Sequence, residues 1–591
     1  MNNNNENNSN LVIAVVLSAL IMVGFQYFYV KPHQEQYRQQ VLAEKQTQAA
    51  PKPENAAAAV ENAVPRDRAD VIKETARIAI STPQLHGSID LKGARIDDIE
   101  LAQYRETTDP KSPNIVLLSP SGSADPHTPY YVEFNWLGDA NTPVPSSQTE
   151  WKSDNKTLSP DHPVKLTWDN GKGLNFTRTI SVDDEFMFTI ADSVKNSSNA
   201  PVTLYPFGLI ARQGNPVAKS VSVLHEGPLA VLGGTLNEYK YKKLMEEGKQ
   251  TGDSEGGWLG VTDKYWLVAM VPQQDEKISA SFAYNASGDP TLNHGWFQSD
   301  YRGAPVTIAA GATAEQTEHL FTGAKRINLI DHYAKEFNIP HFDRAIDFGW
   351  FYFLTKPFLY LLAFLGNWFG SLGIAILVFT VLLKLITLPL SLKSYHSMAR
   401  MKKLQPEIKR IQERYADDKI KQNQEMMEYY KREKVNPLAG CLPQLIQIPI
   451  FFALYKVLYV GIELRQAPFY GWIRDMSVPD PTSWTNIFGL ASWGVPHQLV
   501  VNLGLFTLYL PPAVQIGAWP ILMGCSMFLQ QRMSPQPPDK SQARLFMFMP
   551  LFLTYILSSM ASGLVIYWTW SNLLSIAQQA YIMRSDANKK A

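Results

Sequence analysis

Lys384 is the residue of this chain with the most unusual setting. It lies inside the apolar run GSLGIAILVFTVLLKLITLPLSL at 370–392, which is long enough to cross a bilayer. An ionisable side chain at that depth is costly and marks a candidate functional site. It stands eight residues from the end of the run, about 12 Å along a helix at ~1.5 Å per residue. The chemistry open to it is electrostatic, the attraction of an acidic group in a medium of low dielectric. Thr380 stands one helical turn earlier and shares its face. Gln444 and Gln447 share a face of a second apolar run, and Asn572 belongs to another. Such polar faces, brought together, would enclose a wet cavity in one half of a bilayer. A second reading stands beside this one. Lys384 would snorkel to the headgroups, and the hydroxyl and amide side chains would serve interhelical hydrogen bonds. Lys456, nearer the other end of its run, reads as a snorkelling residue.

Covalent and metal chemistry find little support. Cys441 and Cys525, the two cysteines, both sit in apolar runs, so neither a disulfide framework nor a zinc site is expected. The eleven histidines show no HxxxH spacing, and no GxxxxGK[ST] loop is present. Residues 252–256 match GxSxG, but KLMEEGKQ precedes them where a nucleophile elbow needs an apolar strand, so a loop is expected there. No cofactor, metal or catalytic residue is assigned, and the chain is not read as an enzyme. Net charge is zero, which suggests no nucleic-acid partner. Charged residues make up 18% of the 591, below the roughly 25% of soluble domains, while mean hydropathy is only −0.16. Both values fit a large water-soluble region joined to a membrane-embedded one.

The elements that position these residues follow from patterning. Residues 11–30, LVIAVVLSALIMVGFQYFYV, form an apolar run of spanning length and read as an N-terminal transmembrane anchor, 1–30. Residues 31–70 are rich in Gln, Ala, Pro and Glu and read as a linker. Residues 71–346 read as a β-sandwich domain, all-β over 71–325 and helical or irregular over 326–346. Tyr130, Val132, Phe134 and Trp136 alternate, and Asp169-Asn170-Gly171 separates two alternating runs as in a hairpin. Residues 347–369 are aromatic and contain Lys356-Pro357, which predicts an interfacial helix rather than a span. The remainder, 370–591, reads as a helical membrane domain. Its spans are expected near 370–392, 441–462, 516–531, 545–560 and 562–582. The stretch 486–513 has too short an apolar run to span and reads as interfacial or re-entrant.

Between the first two of these spans, residues 393–434 hold twelve Lys and Arg against seven Asp and Glu. Met398, Met401, Leu404, Ile408, Ile411 and Tyr415 recur every three or four residues, Asp417-Asp418 interrupts, and Ile420, Met427 and Tyr430 continue. This predicts a helical hairpin with a Met-containing seam. It reads as a self-packed solvated hairpin that also offers a platform for nascent chains, a ribosomal surface or anionic lipid. Its positive charge places it in the cytoplasm. By parity the N-terminus is then cytoplasmic, residues 31–369 are outside and the C-terminus is cytoplasmic. That arrangement gives six spans and puts Arg532, Lys540, Arg544, Arg584, Lys589 and Lys590 inside.

Specific runs then point to a family. KVNPLAGCLPQLIQIPIFFALYKVL at 434–458, ELRQAPF at 463–469, QQRMSP at 530–535 and SGLVIYWTWSNLLSIAQQ at 562–579 resemble the YidC-type membrane protein insertases. The order of anchor, large periplasmic domain, interfacial helix and five spans with a basic hairpin is also similar. The resemblance implies a periplasmic β-super-sandwich and five core spans around a hydrophilic groove open to cytoplasm and lipid. It implies insertion and folding of nascent membrane proteins into the inner membrane, alone or beside Sec translocon components, without nucleotide hydrolysis. Ribosome contact through the hairpin and C-terminal tail, and contact with membrane lipids, belong to the same expectation. Lys384 stands where the family most often has a groove Arg, keeping the charge but losing the planar fork. Thr380 matches the groove threonine, and Tyr567-Trp568 match an aromatic pair of the last span, with Trp where a second Tyr is common. The insertion at 485–515 departs from the family pattern. A secondary transporter would show repeated halves, which are not visible here, and a Sec-associated scaffold would leave Lys384 without a role.

Overall fold

The computed structural model describes residues 65–588 apart from 125, 215–223, 287–294, 434, 436–441, 490–498, 503–506, 511–514 and 535–539. The expected anchor at 11–30 and most of the expected linker lie outside the described residues. The fold begins before the expected boundary at 71. Arg66 bridges to Ser123 and pairs with Glu74, while Arg68 pairs with Asp98 and with Glu100 at 2.8 Å. The charges at the end of this segment therefore fasten it to the β domain.

Alternating apolar residues build two large sheets packed face to face. The eleven-stranded sheet runs Gln250–Glu255, Lys277–Asn285, Trp296–Gly303, Val202–Gln213, Tyr130–Leu137, Arg95–Arg105, Leu85–Asp90, Arg77–Ser81 and Thr157–Leu158. Val306–Ile308 and Asn114–Leu118 are added beside this path. The nine-stranded sheet runs Thr235–Glu238, Gly227–Leu232, Trp258–Thr262, Trp266–Val271, Thr313–Ala324, Met187–Asn196, Leu174–Val182, Val164–Asp169 and Lys152–Ser153. Tyr130, Val132, Phe134 and Trp136 all enter the common core, each worth about 1.5–3 kcal/mol of transfer free energy. The Asp169-Asn170-Gly171 hairpin forms as the turn chemistry requires. Gly171 has φ +68°, and the Asn170 side chain accepts from the N–H groups of Lys172 and Leu174.

Residues 252–256 are not the expected loop. Gln250–Glu255 is an edge strand paired with Lys277–Asn285, and Ser254 Oγ accepts from the Gly233 N–H at 2.9 Å. Strand pairing with a long neighbour outweighs the polar composition that suggested a loop. No helix follows Gly256, so Ser254 has none of the geometry of a nucleophile elbow.

Among the described residues, eight α-helices come after the last strand of the two large sheets. Helix α1 (Ile327–Glu336) closes the β fold, and α2 (Tyr352–Phe369) carries Pro357. Helix α3 (Leu372–Arg414) is followed by α4 (Lys419–Arg432) and α5 (Leu442–Val460). Helices α6 (Ala518–Met533), α7 (Lys540–Leu557) and α8 (Ser562–Asn588) complete the set. Helix α3 is apolar and long enough to cross a membrane, whereas the apolar parts of α5 and α7 are shorter. Ser371 caps α3, accepting from the Ile374 N–H. The expected division at 392 is not a structural break, because one continuous helix carries both the apolar run and the first basic arm.

Asp418 caps α4, accepting from the N–H groups of Ile420 and Lys421, so the break at Asp417-Asp418 falls where expected. The seam differs from the expectation. Tyr430 is buried as expected, but Ile420 and Met427 are exposed, and Gln422 is buried instead and donates to the Gln412 carbonyl at 2.7 Å. Residues 422, 426 and 430 keep a strict spacing of four, which holds one face against α3. Within the 485–515 insertion, Leu499–Asn502 and Thr507–Leu510 pair as a short antiparallel hairpin. Helix α7 is already helical at Lys540, five residues before the expected span at 545.

Helix α2 is two-faced. Leu359, Leu362 and Leu365 are buried, while Phe353, Phe364 and Trp368 are exposed. Lys356 does not break it. Its ammonium pairs with Asp343 at 2.7 Å and Asp331 at 3.3 Å, which ties the helix to the β domain. Lys456 is likewise more than a snorkelling residue, since it pairs with Asp347 at 2.7 Å.

Candidate functional site

Helix α8 is the hub on which the polar side chains of the bundle converge. Tyr567, Ser571, Ser575 and Gln579 recur every four residues and so form one stripe along it. Lys384 Nζ on α3 donates to Ser575 Oγ at 2.8 Å, and Ser575 Oγ donates to the Ser571 carbonyl at 2.9 Å. Gln447 Nε2 on α5 donates to the Tyr567 hydroxyl at 2.5 Å. Asn572 Nδ2 donates to Ser526 Oγ on α6 at 2.9 Å, and Gln579 Nε2 to the Met533 carbonyl at 3.2 Å. Trp568 meets Phe451 of α5 edge-on at 4.6 Å.

Lys384 is half-buried, and its flanks are apolar and exposed: Leu385 is 56% and Ile386 76% accessible. Among the described residues no carboxylate pairs with it, and a neutral hydroxyl is its partner. A serine leaves the charge uncompensated, so an incoming acidic group would find an ammonium already desolvated and held in place. Pro389, five residues on, supplies no N–H to the Leu385 carbonyl, which loosens the helix beside the lysine.

The candidate residues therefore divide. Lys384, Gln447, Tyr567 and Asn572 are joined to one another's helices through α8. Thr380 is buried, and its hydroxyl donates to the Ile376 carbonyl of its own helix at 2.6 Å, so it lines no opening. The Gln444 side chain lies outside the described residues. Ser575, Ser571 and Ser526 were missed from the sequence. Small hydroxyls are common in membrane helices, and only the spacing of four from Tyr567 to Gln579 marks the first two.

A family model described as YidC periplasmic domain matches residues 77–361, and one described as 60Kd inner membrane protein matches residues 364–590. The curated Membrane protein insertase YidC of Methylorubrum extorquens is 46% identical, covering 98% of this chain and 96% of that one. The protein of the same name from Bradyrhizobium diazoefficiens is 46% identical over 98% of this chain and 97% of its own. This chain belongs to the YidC family of membrane protein insertases. Among solved structures, an active YidC insertase with its first transmembrane domain resolved is 17% identical. It covers 85% of this chain and 92% of its own at a TM-score of 0.34. The two family models meet between residues 361 and 364, inside α2, whereas the β fold itself ends by Ala345.

Proposed function

We propose that this protein inserts nascent membrane proteins into the inner membrane, using the α3–α8 polar seam as a relay for the hydrophilic segment that must cross. Family membership supports insertion as the activity. The observation that carries the mechanism is Lys384, an ammonium half-buried among apolar side chains with a neutral serine as partner. A polar segment crossing hydrocarbon loses several kcal/mol for each unsatisfied group. An acidic residue on that segment would exchange water for Lys384, gaining about 1–4 kcal/mol at moderate effective dielectric. The exposed apolar flanks at Leu385 and Ile386 would guide the substrate's own apolar helix into lipid, whose burial supplies the driving force.

In this reading α3, α5, α6, α7 and α8 are the five core spans and residues 11–30 the sixth. Helix α2 lies at the outer interface, with Phe364 and Trp368 at headgroup level. The α3–α4 hairpin and both termini face the cytoplasm, where the basic arm meets nascent chains, ribosomes or anionic headgroups. The 16 residues of α6 span about 24 Å at ~1.5 Å each, and local thinning of the bilayer accommodates them. Sec translocon components remain partners implied by the family.

The test is reconstitution in liposomes without ATP or Sec proteins, scored by protease protection of a single-span substrate. Lys384→Ala is expected to lower insertion of a substrate with an acidic translocated tail several-fold more than one with a neutral tail. Equal losses for both would refute charge attraction.

A further inference from the structure

A cavity of about 850 Å³ lies where the β domain meets the membrane helices. Its walls come from five places: the β-domain turn at Glu185, the start of α1 with Arg326 before it, the C-terminal half of α2, the first residues of α3, and the segment after α5. The α2 wall at Gly366 and Asn367 adjoins Phe364 and Trp368, which are 62% and 72% accessible. Exposed aromatic rings on an interfacial helix, next to the start of a span, mark the headgroup layer of a bilayer. The cavity thus lies at headgroup depth, a placement that rests on reading the start of α3 as the outer end of a span.

Two polar atoms of its lining residues have no partner among the described residues. Arg326 pairs with Glu185, yet Arg326 Nε is buried without a partner. Glu463 faces the Ile327 N–H at the start of α1, and its Oε2 is likewise buried without a partner. Burial raises the Glu463 carboxyl above its ordinary range. Ser371 and Leu372, which also line the cavity, begin α3, and the first turn of a helix presents N–H groups and positive potential. A carboxyl with an unpartnered oxygen, which burial leaves ready to ionise only when a cation arrives, thus stands in one cavity with a guanidinium and a helix N-terminus that favour an anion.

We infer that this cavity binds the headgroup of an aminophospholipid from the outer leaflet, with its primary ammonium on Glu463 and its phosphate against Arg326 and the first turn of α3. A primary ammonium offers three N–H donors. A choline headgroup offers none and a glycerol headgroup has no cation, so the site discriminates by hydrogen bonding as well as by charge. Buried unsatisfied polar atoms are costly, and a ligand that satisfies them gains that free energy on binding.

The experiment uses the full chain, delipidated in mild detergent and mixed with equimolar phosphatidylethanolamine, phosphatidylcholine and phosphatidylglycerol. Native mass spectrometry then counts the lipid retained. Phosphatidylethanolamine should exceed phosphatidylcholine at least five-fold, and Glu463→Gln should bring the two level. Equal retention by the unaltered protein, or a preference that survives Glu463→Gln, would overturn the inference. A phosphatidylethanolamine with a photoreactive headgroup provides a second readout on the unaltered chain. Crosslinks should fall on 326–332 and 463–468, and crosslinks confined elsewhere would also overturn it. Displacement by an equal concentration of soluble glycerophosphoethanolamine would mean that a soluble ligand, not lipid, is the occupant. None of these readouts uses insertion, so their failure is separable from failure of the insertase reading.

Discussion

A lysine whose partner is a serine is a different device from a lysine in an ion pair. A carboxylate on α8 would neutralise Lys384 and leave nothing for a substrate. Serine holds the ammonium by geometry and leaves its charge available. Ser575→Ala should cost on the order of 1–3 kcal/mol, seen as a Tm lower by about 2–4 °C for each kcal/mol lost in a bundle of this size. Thermal unfolding in detergent checks it. A second residue-scale prediction concerns Glu318 in the β domain. Burial pushes its carboxyl up to about 8, with the nearby Asp192 carboxylate raising it further, and Tyr301 and Arg178 opposing the rise. Arg178 is already committed to Asp192 through two bonds of 2.7 Å. A folded-state value raised above that of the unfolded chain means the folded protein holds a proton that the unfolded one releases. Stability from this group is therefore full below about pH 4.5 and is lost as pH rises through about 8. Glu318→Gln should flatten the fall in Tm between pH 5 and 8, and an unchanged slope would assign that fall to other groups.

At the scale of elements, α8 organises the bundle because it alternates its partners. Tyr567 and Ser575 face α5 and α3, while Asn572 and Gln579 face α6. In lipid such bonds hold helices together where apolar contact cannot distinguish a neighbour helix from a lipid tail. Close approach does the same work elsewhere. A Cβ placed on Gly524 of α6 would stand 2.2 Å from Thr554 Oγ1 of α7. Gly524→Leu should separate the two helices at a cost of about 1–3 kcal/mol, and a cysteine pair engineered across α6 and α7 should crosslink less efficiently in that background. These elements were largely legible in sequence. The apolar run of α3, the break at Asp417-Asp418 and the Asn170-Gly171 turn all depend on local chemistry. The α4 seam was misassigned because Ile420 and Met427 drew the periodicity to their face, while the contact itself uses a buried glutamine, Gln422. The edge strand at 250–255 was missed because its partner, Lys277–Asn285, is distant in sequence.

Across the whole described molecule the two regions interlock. Ile462, from the segment after α5, packs in the β-domain core, and Ile327, from the β domain, packs among the C-terminal helices. Arg465 donates to the carbonyls of Arg105 at 2.5 Å and Glu106 at 3.3 Å, and Gln466 to that of Arg105 at 3.0 Å. Lys264 lies 3.9 Å from the centre of the Tyr459 ring. The segment ELRQAPF thus joins the domains. Arg465→Ala should remove about 1.5–3 kcal/mol of charge-assisted hydrogen bonding. Hydrogen exchange should rise in Arg95–Arg105 and in residues 461–477, while α8 stays protected. Uniform exchange across all three regions would argue against a local joint.

The sequence by itself determined the kinds of element and their order. Hydropathy, alternation and capping act between residues close in the chain, and a charge inside an apolar run is visible without any partner. It also singled out Lys384, Gln447, Tyr567, Trp568 and Asn572, through depth, spacing or family likeness. Only the tertiary structure decided which helix each of them meets. Ser575 became the partner of Lys384, and Thr380 turned inward to its own backbone. Glu463, given no role of its own when ELRQAPF was read from sequence, became a buried carboxyl beside a cavity. Such pairings are set by how whole helices and sheets pack across hundreds of residues, and no local pattern encodes the far side of a contact.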